Sequence, residues 1–344
     1  MEDLTPRRQA ILESVVREFI ATATPIGSRT IAERCDLGIS PATVRNEMAC
    51  LEEQGYLTHP YTSAGRIPTD EGYRYFVEHL MEEVELPLTE RHIICHRFHQ
   101  VHLETEQWLR LAVTALAQAT RSAAVVTPPR PPSLRFQHLE LVSLHGPASL
   151  LILILQGGVV KQQMLILPRS PTQMELNRTS TRLNTLFEGL SVEGIQTTLP
   201  QLSPLGRQVA ASAIEVMEQV GERIDEEIYY DGLINVLRQP EFTVVESAHR
   251  LIRALEEQRA LRPLMAEVSG LAMGRVQVII GKEGPWDELS ECSFVLARYG
   301  VDDRASGTLG ALGPRRMAYE RIVSTVRYVA SLMSDIIRKL YGNH

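Results

Sequence analysis

Cysteine is scarce in this 344-residue chain: Cys35, Cys50, Cys95 and Cys292 lie far apart, with no pair at CxxC spacing. That spacing argues against a disulfide framework and against a cysteine-based zinc site. Lysine is missing from residues 1–80, where eight arginines face twelve carboxylates for a net of −4, and the whole chain carries −7. A general positive field is therefore excluded, and any contact with nucleic acid must come from local placement of charge. Long apolar runs are also missing. The longest, "SLLILILQGGVV", is too short to cross a bilayer and is broken by Gln156 and two glycines. The opening "MEDLTPRRQ" has no apolar signal core, so a cytoplasmic protein with no membrane partner is expected. No Ser/His/Asp set or paired carboxylates can be extracted, and "GKEG" (Gly281–Gly284) lacks the spacing and hydroxyl of a phosphate loop. Neither catalysis nor a cofactor is expected. What remains, 44% hydrophobic and 22% charged, is the composition of a globular protein of two or three domains.

The chain begins with helical signals. Thr5 can cap a helix over residues 4–21, with Pro6 at its first position and Ile11, Val15 and Phe19 at four-residue spacing. A short helix over 28–35 follows, then the turn "DLG", then Ser40 as cap and Pro41 as first residue of a third helix. Gln54 and Gly55 stop it. "YLTH" and "RIPT" read as short strands around the loop "PYTSAG", and Thr69 and Asp70 open a fourth helix through "DEGYRYFVEHLM". Helix, helix, helix, hairpin, helix is the order of a winged helix-turn-helix. Pro87 and Thr89 mark a junction before one long helix over about 90–120. Strands 136–144, 149–155 and 159–167 read as an antiparallel meander. Helices are expected over 176–190, 203–228, 233–237 and 247–258, with "YYDG" as a break. Strand character returns at 276–280, 292–299 and 307–312, before a terminal amphipathic helix over 314–340. Strands on both sides of a helical block suggest one α+β domain interrupted by a mostly helical insertion.

The third helix carries the functional signal. Val44, Met48 and Leu51 form one apolar side, while Ala42, Arg45, Asn46 and Ala49 form the opposite one. Small residues let the helix approach a surface. Arg45 can pair in bidentate fashion with a guanine edge, and Asn46 with adenine. Ser40, Pro41, Ala42 and Thr43 occupy the first turn, where hydroxyls and free N–H groups suit a phosphate or a base. An isolated helix of this kind would most simply be a solvated face, but the preceding short helix and following hairpin favour DNA reading. In "TSAGRIPT", Arg66 follows Gly65 at the tip of the expected hairpin, placed for a minor groove or a phosphate. Arg29, near the start of the second helix, is either a phosphate contact or a surface charge.

"ISPATVRNEMACLEEQGYL" followed by "TSAGRIPTDEGYRYFV" resembles the HrcA family of bacterial heat-inducible transcription repressors. "YYDGLINVLRQPEF", "IIGKE" and "GTLGALGPRRMAYERI" also resemble segments of that family, so the likeness spans nearly the whole chain. The resemblance implies an α+β multidomain protein: a winged helix over 1–85, a GAF-like domain in two parts, 86–190 and 269–344, and an inserted dimerisation domain over 191–268. It implies a homodimer that represses chaperone operons at an inverted repeat in double-stranded DNA, with the GroEL chaperonin as partner. Departures are Gly284, where the family more often has Asn, and Ala318, where an acidic residue is more usual. The dimer also follows from charge, since one acidic module would bind DNA weakly and a second copy makes the second contact intramolecular.

The rival reading is a ligand- or metal-sensing regulator switched by the GAF-like domain. His92, His96 and His99 would share a helix face, but no carboxylate or cysteine completes a tetrahedral set by spacing, so no metal is assigned.

Overall fold

The structure is a computed structural model and describes residues 4–34, 38–61, 64–99, 105–130, 134–156, 159–224, 228–257, 261–268, 270–283, 289–302 and 304–341. The chain is α+β and divides into two compact units. The first comprises Met1–Thr127, Ile228–Tyr299 and Gly307–Asp335; the second comprises Pro128–Glu227, Gly300–Ser306 and Ile336–His344.

The first unit opens with α1 (Pro6–Thr22), α2 (Ser28–Arg34) and α3 (Pro41–Glu53), then the two-stranded hairpin β1 (Leu57–Thr58) and β2 (Ile67–Pro68), then α4 (Asp70–Tyr75). Local chemistry sets these boundaries. The Thr5, Ser40 and Thr69 hydroxyls accept the N–H groups of Arg8, Thr43 and Gly72 at the starts of α1, α3 and α4. Gly55 takes φ +85° after α3, a conformation that turns the chain into β1 at no steric cost. The expected fourth helix widens into a π turn at Phe76–Leu80, where the Met81 N–H reaches back to the Phe76 carbonyl at 2.8 Å. α5 (Leu88–His99) and α6 (Thr105–Thr120) replace the single long helix expected there, and β3 (Ala123–Val126) follows, fully buried.

The second unit holds β4 (Phe136–Ser143), β5 (Ala148–Leu155) and β6 (Val159–Ile166), an antiparallel meander as the alternation predicts. Its helices are α7 (Gln173–Phe187), α8 (Val192–Thr198) and α9 (Pro204–Ile224). The inner sheet face, with Leu139, Leu151 and Leu153, shares one core with Leu176, Phe187 and Met217 of the helices. This corrects the expected boundaries. The meander belongs to the inserted unit and not to the body, and residues 228–268 belong to the body, so the divisions at 190/191 and 268/269 fall inside compact units. The insertion is a sheet packed on helices, not a mostly helical block. The reason is that β4–β6 form a sheet of their own, which cannot bury its apolar face without α7 and α9.

The body resumes with β7 (Tyr229–Asp231), α10 (Leu233–Leu237), α11 (Val245–Glu257), α12 (Leu261–Val268), β8 (Val276–Ile280), β9 (Cys292–Val301), β10 (Ala305–Pro314) and α13 (Tyr319–Tyr341). Five strands lie in the order β7-β3-β10-β9-β8. "YYDG", expected as a break, is instead an edge strand, because Tyr229, Tyr230 and Asp231 pair with Val126, Val125 and Ala124. That pairing lies a hundred residues away in sequence and leaves no local trace. The thiol of Cys292, buried at the start of β9, is pushed up to about 12 by desolvation and is inert at neutral pH. None of Cys50, Cys95 and Cys292 forms a disulfide, and Cys35 lies outside the described residues.

Candidate nucleic-acid interface

α3 is anchored by its apolar side. Val44, Met48 and Leu51 are at most 1% exposed, and α3 packs on α1 and α2, whose Ile11, Leu12, Val15 and Ile31 are likewise buried. The other side is open: Ser40, Pro41, Ala42, Arg45 and Asn46 are exposed, and Thr43 and Ala49 are half-buried. The Ser40 and Thr43 hydroxyls lie 3.0 Å apart, with Ser40 also accepting the Thr43 N–H at 3.2 Å. Ser40 is thus first of all the helix cap, and its oxygen is partly committed before any ligand arrives.

The distribution of ion pairs singles out one residue. Of the eight arginines in residues 1–80, seven are paired: Arg7 and Arg8 with Glu47, Arg17 with Glu13 and Glu320, Arg29 with Glu33, Arg34 with Glu18, Arg66 with Glu52, and Arg74 with Glu283. Arg45 has no hydrogen-bond or ion-pair partner for its side chain among the described residues, and neither has Asn46. Among the described residues, six of the module's twelve carboxylates, Glu13, Glu18, Glu33, Glu47, Glu52 and Glu78, are held by its own arginines. The one uncommitted guanidinium projects from the open side of α3, beside an amide. Arg29 is exposed but held to Glu33 at 2.8 Å, one helical turn on.

Arg66 is placed differently from the sequence expectation. It stands where the loop enters β2 and not at the tip; its N–H and carbonyl exchange hydrogen bonds of 2.9 Å with Ile26. Its guanidinium lies on Glu52 at the end of α3, at 2.8 and 2.9 Å. The intervening loop passes through Thr62 and Ser63, outside the described residues. Gly65 is required here by close approach: an added Cβ would meet the backbone of Ile26 at 2.6 Å. The Glu52 carboxyl is held below its ordinary value, first by the hydrogen bond with His59, and further by Arg66 against the opposing pull of burial. An acid depressed in this way stabilises the fold fully above its unfolded pKa of about 4.3, and that contribution vanishes as pH falls through the lowered folded value. Glu52→Gln is expected to loosen the hairpin by about 1 kcal/mol or less, as partly exposed pairs do. Faster amide exchange at Ile26 and Arg66, without change in α1, is the measurement that checks it.

Glu47 and Glu52 are positioning residues that sequence reasoning passed over. Each pins one part of α3, Glu47 to Arg8 of α1 at 2.8 Å and Glu52 to the hairpin. Nothing in their spacing distinguishes them from solvated acids. His92 and His96 are exposed, and the His99 side chain lies outside the described residues. Among the described residues no three His, Cys, Asp or Glu side chains are grouped to hold a metal ion, and no helix is long and apolar enough to cross a membrane.

Residues 106–323 match the family described as HrcA protein C terminal domain. A protein of Roseiflexus castenholzii named heat-inducible transcription repressor HrcA is 45% identical, over 99% of this chain and 96% of its own. Proteins of the same name from Herpetosiphon aurantiacus and Dehalococcoides mccartyi are 45% and 43% identical, over 99% and 98% of this chain and 97% of their own in each case. A crystal structure of a hypothetical protein at 2.2 Å has the same overall fold, with a TM-score of 0.61 at 22% identity, over 98% of this chain and 100% of that one. An open α3 on a buried apolar anchor, in a chain so closely related to repressors, defines a transcription repressor and not an enzyme. Within that class, the chain belongs to the HrcA family of heat-inducible repressors.

Proposed function

We propose that residues 1–85 form a winged helix in which α3 enters the major groove, Arg45 and Asn46 read base edges, and Ser40, Pro41, Ala42 and Thr43 meet the backbone. The hairpin is the wing. Arg66 sits where its loop enters β2, and Arg29 on its flank; Arg66 orients the wing through Glu52 and reaches phosphate only by exchanging that partner. The observation that carries this reading is that, among the described residues, Arg45 alone of the module's arginines has no carboxylate partner, and it lies on the exposed side of the helix. A five-stranded sheet flanked by helices, continued after an insertion, supports a GAF-like body.

The second unit is the dimerisation element in this proposal. Its sheet turns Val142, Val160, Met164 and Ile166 outward, Met164 and Ile166 at 62% and 65% exposure, and a second copy of the chain would cover them. Two-fold symmetry then demands an inverted repeat in double-stranded DNA. In this proposal the repeat lies upstream of chaperone operons, and the protein acts in the cytoplasm. The GroEL chaperonin keeps the repressor competent, and heat releases the operator as chaperonin is drawn to unfolded proteins. Retardation assays with a palindromic operator and with scrambled DNA test the core of this. Tight binding to the palindrome alone is expected, and equal binding to both would end it. Met164→Lys is expected to shift the protein to monomer in sedimentation and to weaken operator binding by at least about tenfold, through loss of the linked second site. A warmed repressor that holds its operator equally with and without chaperonin would rule out the release mechanism.

A further inference from the structure

Within the first unit, a cleft of about 600 Å³ lies between the hairpin side of the N-terminal module and the body. That is the size of a small-molecule site. One part of its lining is apolar, from Phe19 of α1 and Ile67 and Pro68 of β2; another carries Lys282 and Arg315. Tyr73 of α4 also lines it. The Tyr73 side chain is 2% exposed, yet its hydroxyl has no hydrogen-bond partner among the described residues. Such a group is a standing cost to the fold unless something arrives to satisfy it. Burial is the main cause that raises its pKa well above the phenol range; the buried Tyr319 and then Glu241 push the same way, while Arg315 and Arg316 pull it down, and of these Glu241, Arg315 and Arg316 line the cleft.

The donors around it are largely uncommitted. Arg315 gives one N–H, from Nη1, to Asp70 at 2.9 Å, and its remaining N–H groups have no partner among the described residues. The Lys282 ammonium makes no ion pair among them either. The neighbouring acids are already taken: Asp70 by Arg315, Glu241 by Arg316 at 2.6 Å, and Glu291 by Arg250 at 3.3 Å, while Glu71 is exposed to solvent. Two cationic donors and a phenol thus share the cleft with an apolar lining. An acidic head group would accept from all three, and an apolar body would cover Phe19, Ile67 and Pro68.

We propose that this cleft binds a small organic anion, its carboxylate or phosphate held by Arg315, Lys282 and the Tyr73 hydroxyl. The proposal does not depend on which bases α3 reads. Calorimetric titration of the full-length protein with phenylacetate and with phenyl phosphate tests it. Saturable binding of at least one probe is expected, with Kd of about 1 mM or tighter, and the better probe identifies the head group. Inorganic phosphate, without an apolar body, is expected to bind at least about tenfold more weakly. Tyr73→Phe is expected to weaken the probe about fivefold or more and, at the same time, to raise the Tm of the unliganded protein, because it removes a buried hydroxyl that has no partner. Lys282→Gln is expected to weaken the probe with Tm unchanged. Failure of both probes to saturate, or equal affinity in the natural protein and both variants, would overturn the proposal. So would a fall in Tm for Tyr73→Phe, which would mean the hydroxyl is already satisfied.

Discussion

Arg45→Ala is expected to cost about 1–3 kcal/mol of operator binding, roughly 5- to 150-fold, with a much smaller loss on scrambled DNA. The sign follows from what Arg45 lacks. Its exposed guanidinium has no partner among the described residues to leave behind, so the substitution is expected to cost the fold little. All of its effect is therefore read on the ligand. A phosphate-contacting arginine would behave otherwise, weakening every sequence alike and lowering the salt slope by about one. Titrations of both DNAs across a range of salt separate the two cases. A uniform loss with a reduced slope would move Arg45 from base reading to backbone contact. An unchanged operator affinity, with the melting temperature also unchanged, would remove α3 from the interface. Thermal denaturation of the variant is expected to superimpose on the natural protein, since the residue is exposed.

Leu51→Ala should show the converse. Leu51 is fully buried on the anchoring side of α3, and its carbonyl accepts the Tyr56 N–H at 2.9 Å, where the chain turns into the hairpin. Truncating a buried leucine costs about 2–5 kcal/mol, from lost transfer energy and the cavity left behind. That is a large share of the net stability of about 5–15 kcal/mol typical of a folded domain. The variant is expected to lose binding to operator and scrambled DNA together on mild warming, with loss of α3 and hairpin amide protection. If Leu51→Ala kept its melting temperature and lost only operator selectivity, the division of α3 into anchor and reading sides would be wrong. The pair of variants thus discriminates a helix that recognises DNA from one that merely holds the module together.

Much of the N-terminal module is legible without a structure because its signals are local. Caps, a proline at a first helical position and a four-residue apolar period act within one or two turns. Thr5, Ser40 and Thr69 accordingly cap α1, α3 and α4, and Val44, Met48 and Leu51 lie buried while Arg45 and Asn46 do not. The meander β4–β6 and the terminal helix α13 were readable for the same reason, through periods of two and of 3.6 residues. Family membership too was carried by short segments whose order along the chain is itself sequence information.

Helical spacing accounts for Arg17–Glu13, Arg29–Glu33 and Arg74–Glu78, but tertiary structure decided the other partners. Arg74 finds Glu283 and Arg17 finds Glu320 some two and three hundred residues away, and no spacing rule foretells such partners. The same applies to Arg66, which sequence put at a hairpin tip and the fold ties to Glu52 and Ile26, and to Tyr229–Asp231, a strand only because Ala124–Val126 lies beside it. The extent of the insertion belongs here as well, since a strand's sheet is set by the edge it pairs with and not by its own residues. Period and capping are properties of a segment, whereas burial of a hydroxyl such as Tyr73 Oη, or neutralisation of an arginine, depends on which distant surfaces the folded chain brings within about 4 Å. The amino-acid order therefore determined the open side of α3, and the three-dimensional arrangement determined that Arg45, of all the arginines near it, remains uncommitted.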